Sequence, residues 1–132
     1  MNEYVTFRLD GQAYATRIAS VREVVRLAEL AVLPGLVPPI SGVLDLRGVS
    51  LPVVDIRATS GGPGDVLVLS SDRTDYGFAC DEVIAVVGDD TLAEETSRTA
   101  GSGQLPAYVE TVLRGPDGPV FLVDVERMAS PT

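Results

Sequence analysis

Apolar and polar residues alternate with a period of two through most of the chain, the spacing that lays one face of a β-strand on a core. Val5, Phe7 and Leu9 alternate with Tyr4, Thr6 and Arg8. Asp10-Gly11 then supplies the residues of a tight hairpin turn, which makes Gln12–Arg17 the return strand. Further strands are predicted at 43–46 and Val49–Val54 around Gly48, with Pro52 implying an edge position or a bulge. Two more, at 66–69 and Tyr76–Cys80, are joined by the polar turn Asp72-Arg73-Thr74-Asp75. Strands at 108–114 and 120–123 flank a second Asp-Gly turn, Asp117-Gly118. The connection 59–64 and the polar, Gly/Ser-rich stretch 93–104 read as loops. Helical signal is confined to short turns at 18–22 and 126–129. Many short strands separated by turn residues predict an all-β barrel or sandwich.

The two halves resemble each other. Leu46-Arg47-Gly48, three residues, Pro52-Val53 and Asp55 recur as Leu113-Arg114-Gly115, three residues, Pro119-Val120 and Asp124, with one extra residue before the second aspartate. Upstream, Tyr14-Ala15, Val21 and Val24-Val25 recur as Tyr76-Gly77, Val83 and Val86-Val87. Chance likeness between valine-rich strands is the alternative reading. A true repeat implies two small barrels of about five strands each.

With 132 residues, the chain is read as one domain, 1–132, large enough to bury its own core, with its two intertwined subdomains meeting near 57–66. Net charge is −9 and every one of the ten basic residues is arginine. So acidic a surface makes nucleic acid and anionic lipid poor partners. The most apolar stretch, 27–44, is interrupted by Glu29, Pro34, Gly35, Pro38 and Pro39, which argues against a membrane span. The opening residues lack the basic region of a signal peptide, and a single cysteine, Cys80, fits a reducing cytoplasm.

Candidate chemistry is sparse. Without histidine or lysine, no Ser-His-Asp, Cys-His, Ser-Lys or Schiff-base arrangement is available, and zinc lacks its ligands. Gly61-Gly62-Pro63-Gly64 has neither the lysine of a phosphate-binding loop nor a following helix. Asp89-Asp90 and Asp72 with Asp75 do not match calcium-loop spacing and read as turn residues. Asp55 and Asp124, equivalent through the repeat, are the one carboxylate pair that a small acid hydrolase would use. Each ends an apolar strand near an arginine (Arg57, Arg127), so a structural role in turn or ion pair is preferred. Cys80 shares a strand face with Tyr76 and Phe78 and reads as a small buried hydrophobe. The chain is expected to bind rather than catalyse, with no metal and no cofactor.

The segment Ser41-Gly42-Val43-Leu44-Asp45-Leu46-Arg47-Gly48-Val49-Ser50-Leu51-Pro52-Val53-Val54-Asp55-Ile56-Arg57 resembles the G-V-x-N-L-R-G-x-x-x-P-V-x-D-L-R signature of the CheW family. The resemblance extends to Val21-Arg22-Glu23-Val24, similar to V-x-E-V, and to Gly77-Phe78-Ala79-Cys80-Asp81-Glu82-Val83, similar to G-x-x-V-D-x-V. It implies two SH3-like five-stranded barrels packed on a shared core with one or two short helical turns. It further implies a cytoplasmic, non-catalytic adaptor that binds the chemoreceptor cytoplasmic tip and the regulatory domain of the chemotaxis histidine kinase. Such an adaptor joins receptor arrays at the membrane without inserting into lipid. An alternative is a CheW-like scaffold in a surface-motility, developmental or regulatory pathway. The receptor-facing positions carried over are Val21, Glu23, Gly42, Arg47, Gly48 and Gly77, with an apolar groove expected along Val21, Val43 and Val49. Departures are Asp45 for the signature asparagine, Cys80 and Glu82 around Asp81, Thr111 for a frequent glycine, and a short 57–65 connection.

Overall fold

A computed structural model describes residues 2–58, 62–94 and 105–129. Eleven strands run in chain order: β1 (Glu3–Leu9), β2 (Gln12–Arg17), β3 (Val21–Arg26), β4 (Ile40–Leu46), β5 (Val49–Val54), β6 (Asp65–Leu69), β7 (Tyr76–Cys80), β8 (Glu82–Gly88), β9 (Ala93–Glu94), β10 (Val109–Gly115) and β11 (Gly118–Val123). A 3-10 turn, Ile18–Ser20, separates β2 from β3, and a short helix, α1 (Val125–Met128), follows β11. The strands form two sheets, ordered β8-β1-β2-β11-β10-β9 in the first and β3-β6-β7-β5-β4 in the second. Apart from the two-residue β9, each sheet therefore has five strands, as the fold expectation required.

β3 and β8 were not among the predicted strands. β3 begins inside the stretch read as a helical turn, which takes in Val21 and Arg22, and its charges at Arg22, Glu23 and Arg26 blur the alternation. β8 is nearly all apolar, so it has no period of two to detect. Ala93–Glu94, expected as loop, pairs with β10, while 95–104 and 59–61 lie outside the described residues. The second hairpin turns at Pro116-Asp117, one residue earlier than Asp117-Gly118. Pro52 occupies neither an edge nor a bulge. β5 is an interior strand, but only Val53 and Val54 pair with β7, so no β7 ladder position falls on the proline.

Strand registers show how the repeat is built. In the second sheet Val24 pairs with Leu67, and Leu67 with Phe78. In the first, Val86 pairs with Val5, and Val5 with Thr16. Val24 and Val86 thus hold equivalent places, as do Gly77 and Ala15, the next residues along. Each of these two is joined in parallel to the following hairpin, Gly77 to Val53 and Ala15 to Leu122. Counting outward, Asp55 matches Asp124 as the sequence suggested. Arg47-Gly48, however, matches Pro116-Asp117 and not Arg114-Gly115. The recurring L-R-G is two residues out of structural register, since Arg114 lies within β10 and Arg47 forms the turn.

The two copies exchange strands. The first half of the sequence contributes β1 and β2 to one sheet and β3, β4 and β5 to the other; the second half completes both. The 57–66 segment follows β5 and runs into β6, and each sheet has strands from both sides of it. The chain changes sheets at Ile18–Ser20 and again at Asp81.

Three apolar clusters result. One lies within the first sheet's unit (Tyr4, Ala15, Leu92, Leu113, Val120, Leu122) and one within the second's (Leu44, Leu51, Val53, Val68, Ala79). The third, between the units, draws Val5, Phe7 and Leu9 from β1, Leu67 and Leu69 from β6, Tyr76, Phe78 and Cys80 from β7, and Met128 from α1. β7 is buried on both faces for this reason, Phe78 facing the central cluster and Ala79 the second sheet's own core. At the centre Phe7 and Phe78 meet edge to face at 6.0 Å. Phe78→Ala is expected to cost about 3–5 kcal/mol. Urea unfolding should stay a single transition, because both units lose the same contacts; two separated transitions would refute a shared core.

Candidate protein-binding site

The signature segment folds into the β4–β5 hairpin. Its two turn residues, Arg47 and Gly48, both have positive φ (52° and 86°), the conformation a two-residue turn of this hand requires. Asp45 closes the turn by accepting a hydrogen bond from the Gly48 amide at 2.9 Å. The carboxylate that replaces the signature asparagine thus still fills an asparagine's structural role. Held in this way, Arg47 reaches across to Glu23 on β3, donating through Nη1 to Oε1 at 3.1 Å and through Nη2 to Oε2. Glu23 follows an irregularity in the β3–β6 register, which sits between Val21 and Glu23.

The pair stands at the surface, with 70% of the Arg47 side chain and 32% of the Glu23 side chain exposed. Hydrogen bonds from Arg47 hold the Glu23 carboxyl below its ordinary range, and the same bonds raise Arg47. The linkage therefore persists above the usual carboxylate pKa and is lost only as pH falls through the depressed value. Solvent screening leaves such a pair little weight in stability. Val49, 62% exposed, adjoins the turn.

The other carried-over positions are distributed differently. Val21 is half-buried and packs against the central core, whereas Val49 is exposed beside the turn. A Cβ on Gly42 would lie 2.7 Å from the Leu30 Cβ, and one on Gly77 2.7 Å from a Val66 methyl. Close packing explains both glycines, whereas Gly48 is required by its turn and has open space around it. Of the six, the fold brings Glu23, Arg47 and Gly48 together at one rim.

Asp55 and Asp124 are engaged in holding the backbone. Asp55 accepts from the Arg57 amide, Nε and Nη2 at 3.1, 3.0 and 2.9 Å, and both side chains are 2% exposed. Arg57 further donates to the carbonyls of Pro63 and Gly62, tying down the short connection before β6. Asp124 caps α1, accepting from the amides of Glu126 and Arg127. The turn aspartates are similarly occupied: Asp89 accepts from the Asn2 amide and Asp75 pairs with Arg22 at 2.7 Å. Among the described residues no group of three or more acidic or cysteine side chains could hold a metal. None of their helices is long and apolar enough to cross a membrane. Cys80 is fully buried, and burial pushes its thiol up to about 12. Gly64, read in sequence only as part of a flexible connection, lies so close to the Cys80 carbonyl that a Cβ would meet its oxygen at 2.1 Å.

Comparison with known proteins agrees with this architecture. Residues 3–131 match the family model described as the CheW-like domain. The chain is 26% identical over 106 residues to the chemotaxis protein CheW of Bacillus subtilis, an alignment covering 75% of this chain and 66% of that protein, a little under two thirds of its length. The scaffolding protein TtCheW of Thermoanaerobacter tengcongensis superposes with a TM-score of 0.75 at 21% identity, over 96% of this chain and 86% of that one. Two SH3-like five-stranded units packed on a shared core make up the fold. The chain belongs to the CheW-like domain family.

Two outcomes check the roles assigned here. Asp55→Asn takes from the buried Arg57 its closer carboxylate, leaving only Asp81 at 3.6 Å, and should destabilise by about 3 kcal/mol in denaturant titration; a loss below about 1 kcal/mol would contradict the buried pair. Iodoacetamide at pH 8 should leave Cys80 unmodified in the folded protein and alkylate it within minutes in urea, as read by mass spectrometry.

Proposed function

We propose that this chain is a non-catalytic cytoplasmic adaptor linking chemoreceptor cytoplasmic tips to the regulatory domain of the chemotaxis histidine kinase. It reaches the membrane through receptor arrays and does not itself enter lipid. The observation that carries this reading is the Glu23–Arg47 pair, set on a rigid two-residue turn at an exposed rim. A pair so exposed adds little to folding, so its value lies in orienting charge toward a partner and in the rate and selectivity of association. Exposed Val49 beside it adds an apolar contact, and the combination suits the polar and apolar faces of a helical hairpin tip. Kinase contacts then fall to the barrel ends, away from this rim.

Asp45 gives the rim one more negative than positive charge, counting Glu23, Asp45 and Arg47 together, so the receptor helix is expected to offer a basic residue there. Arg47→Glu should weaken binding to a receptor tip fragment at least tenfold by surface plasmon resonance while the circular dichroism spectrum stays unchanged. Binding of the kinase regulatory domain should be retained. Undiminished receptor binding by a folded Arg47→Glu variant would remove this rim from the interface, and loss of the folded spectrum would make Arg47 a structural residue.

A further inference from the structure

The two sheets supply an internal control for each other, and they differ most at one place. In the second sheet the edge strand β3 carries Arg22, Glu23 and Arg26, and Arg47 from the hairpin turn bridges to it. The equivalent residues of the first sheet are Ile84, Ala85 and Gly88 on β8 and Pro116 in the turn, by the strand registers given above. Where one unit carries the Glu23–Arg47 ion pair, the other has an open cavity of about 330 Å³, lined by Ile84, Ala85, Leu92, Pro116, Asp117 and Val120 among others. β8 pairs only with β1 among the described residues, and its outer edge is otherwise free. Ile84 and Val86 are about half exposed, at 48% and 56%. From Val83 to Gly88 there is no charge to discourage a further strand.

The charges at the two ends of β8 are unequal. Glu82 is opposed across the sheet by Arg8. At the Gly88 end stand Glu3, directly opposite Gly88, and the turn residues Asp89 and Asp90, while the arginine in register there, Arg17 on β2, is two strands away and paired with Glu110. A second copy pairing antiparallel through β8 would bring Glu82 of each chain toward the acidic end of the other, twice by symmetry. We infer that the β8 edge and the adjoining cavity receive an extended strand of another protein, apolar at alternate positions and bearing basic residues at the end that meets Glu3, Asp89 and Asp90. Its backbone extends the first sheet beyond β8, and alternate side chains enter that cavity. This surface lies on the opposite sheet from the Glu23–Arg47 rim and stands whether or not that rim binds a receptor.

The test uses two fluorescein-labelled decapeptides of alternating valine and threonine, one ending in two lysines and one ending in two glutamates. Fluorescence anisotropy with the intact chain should show saturable binding of the lysine peptide and at least tenfold weaker binding of the glutamate peptide. Amide hydrogen exchange should slow along β8 and not along β3. The double variant Ala85→Glu/Pro116→Arg, which installs the other unit's ion pair, should bind the lysine peptide at least tenfold more weakly. Ile84→Lys, a change at an exposed position, should do the same with an unchanged thermal midpoint. Absence of saturable binding, equal binding of the two peptides, or binding unaffected by both variants would overturn the proposal. Concentration-dependent dimerisation that protects β8 without peptide would assign the edge to a second copy instead.

Discussion

The apolar cluster between the two sheets is the constraint on which the rest of this molecule depends. It takes side chains from β1, β5, β6, β7, β11 and α1, so neither unit contains all the partners its own strands require. A wall strand such as β7 must then be apolar on both faces, and glycine or alanine must stand where neighbouring strands approach too closely for more. Removal of the central cluster would leave two thin sheets, each with a core of five or six residues. Cores that small do not outweigh the conformational entropy of the chain they order. The pairing of units is therefore a condition of folding and not a later association of finished domains.

Two arginines show how burial decides what a charge does. Arg57 and Asp55 are withdrawn from water, surrounded by backbone acceptors and donors, and fix the passage from β5 to β6. Their linkage is structural, since a buried charge must keep its partner. Arg47 and Glu23 make a similar two-bonded contact in solvent, where the same geometry stabilises little. The exposed pair is available to another protein and the buried one is not. Both arginines belong to the same signature segment, ten residues apart, and the sequence alone does not distinguish their environments.

Most of the strands were legible because half-buried strands alternate, and the first hairpin turn because Asp10-Gly11 tolerates positive φ, whereas the last turn falls one residue before its Asp-Gly pair. β8 was missed because a continuous apolar run has no period, and β3 because its charges sit on an exposed face beside a 3-10 turn. The repeat was legible in its upstream part, where pairing conserves the spacing, and misaligned by two residues at the second L-R-G. There the register is set by parallel pairing to β2 and β7, contacts between segments more than twenty residues apart. Of the proposed binding positions, Glu23 and Arg47 were marked by their motifs, and the fold pairs them. Val21 could not be placed, since a valine beginning an edge strand is compatible with either a groove or a core. The open mouth beside β8 becomes apparent only when the two units are superimposed through their registers.

The exchange of strands also fixes an order in which the chain can mature on the ribosome. The β1–β2 hairpin precedes the other strands, yet those that flank it in its own sheet, β8 and β11, are synthesised only after the whole second sheet. The second sheet is complete once Cys80 has emerged, with the early hairpin held only through Phe7 and its neighbours against β6 and β7. The β1 edge of that hairpin is covered as soon as β8 emerges, but its β2 edge remains open for about forty residues beyond Cys80, as β11 ends at Val123. A nascent chain interrupted in that interval presents an unpaired edge to any neighbour, which makes translational pausing there a hazard for aggregation.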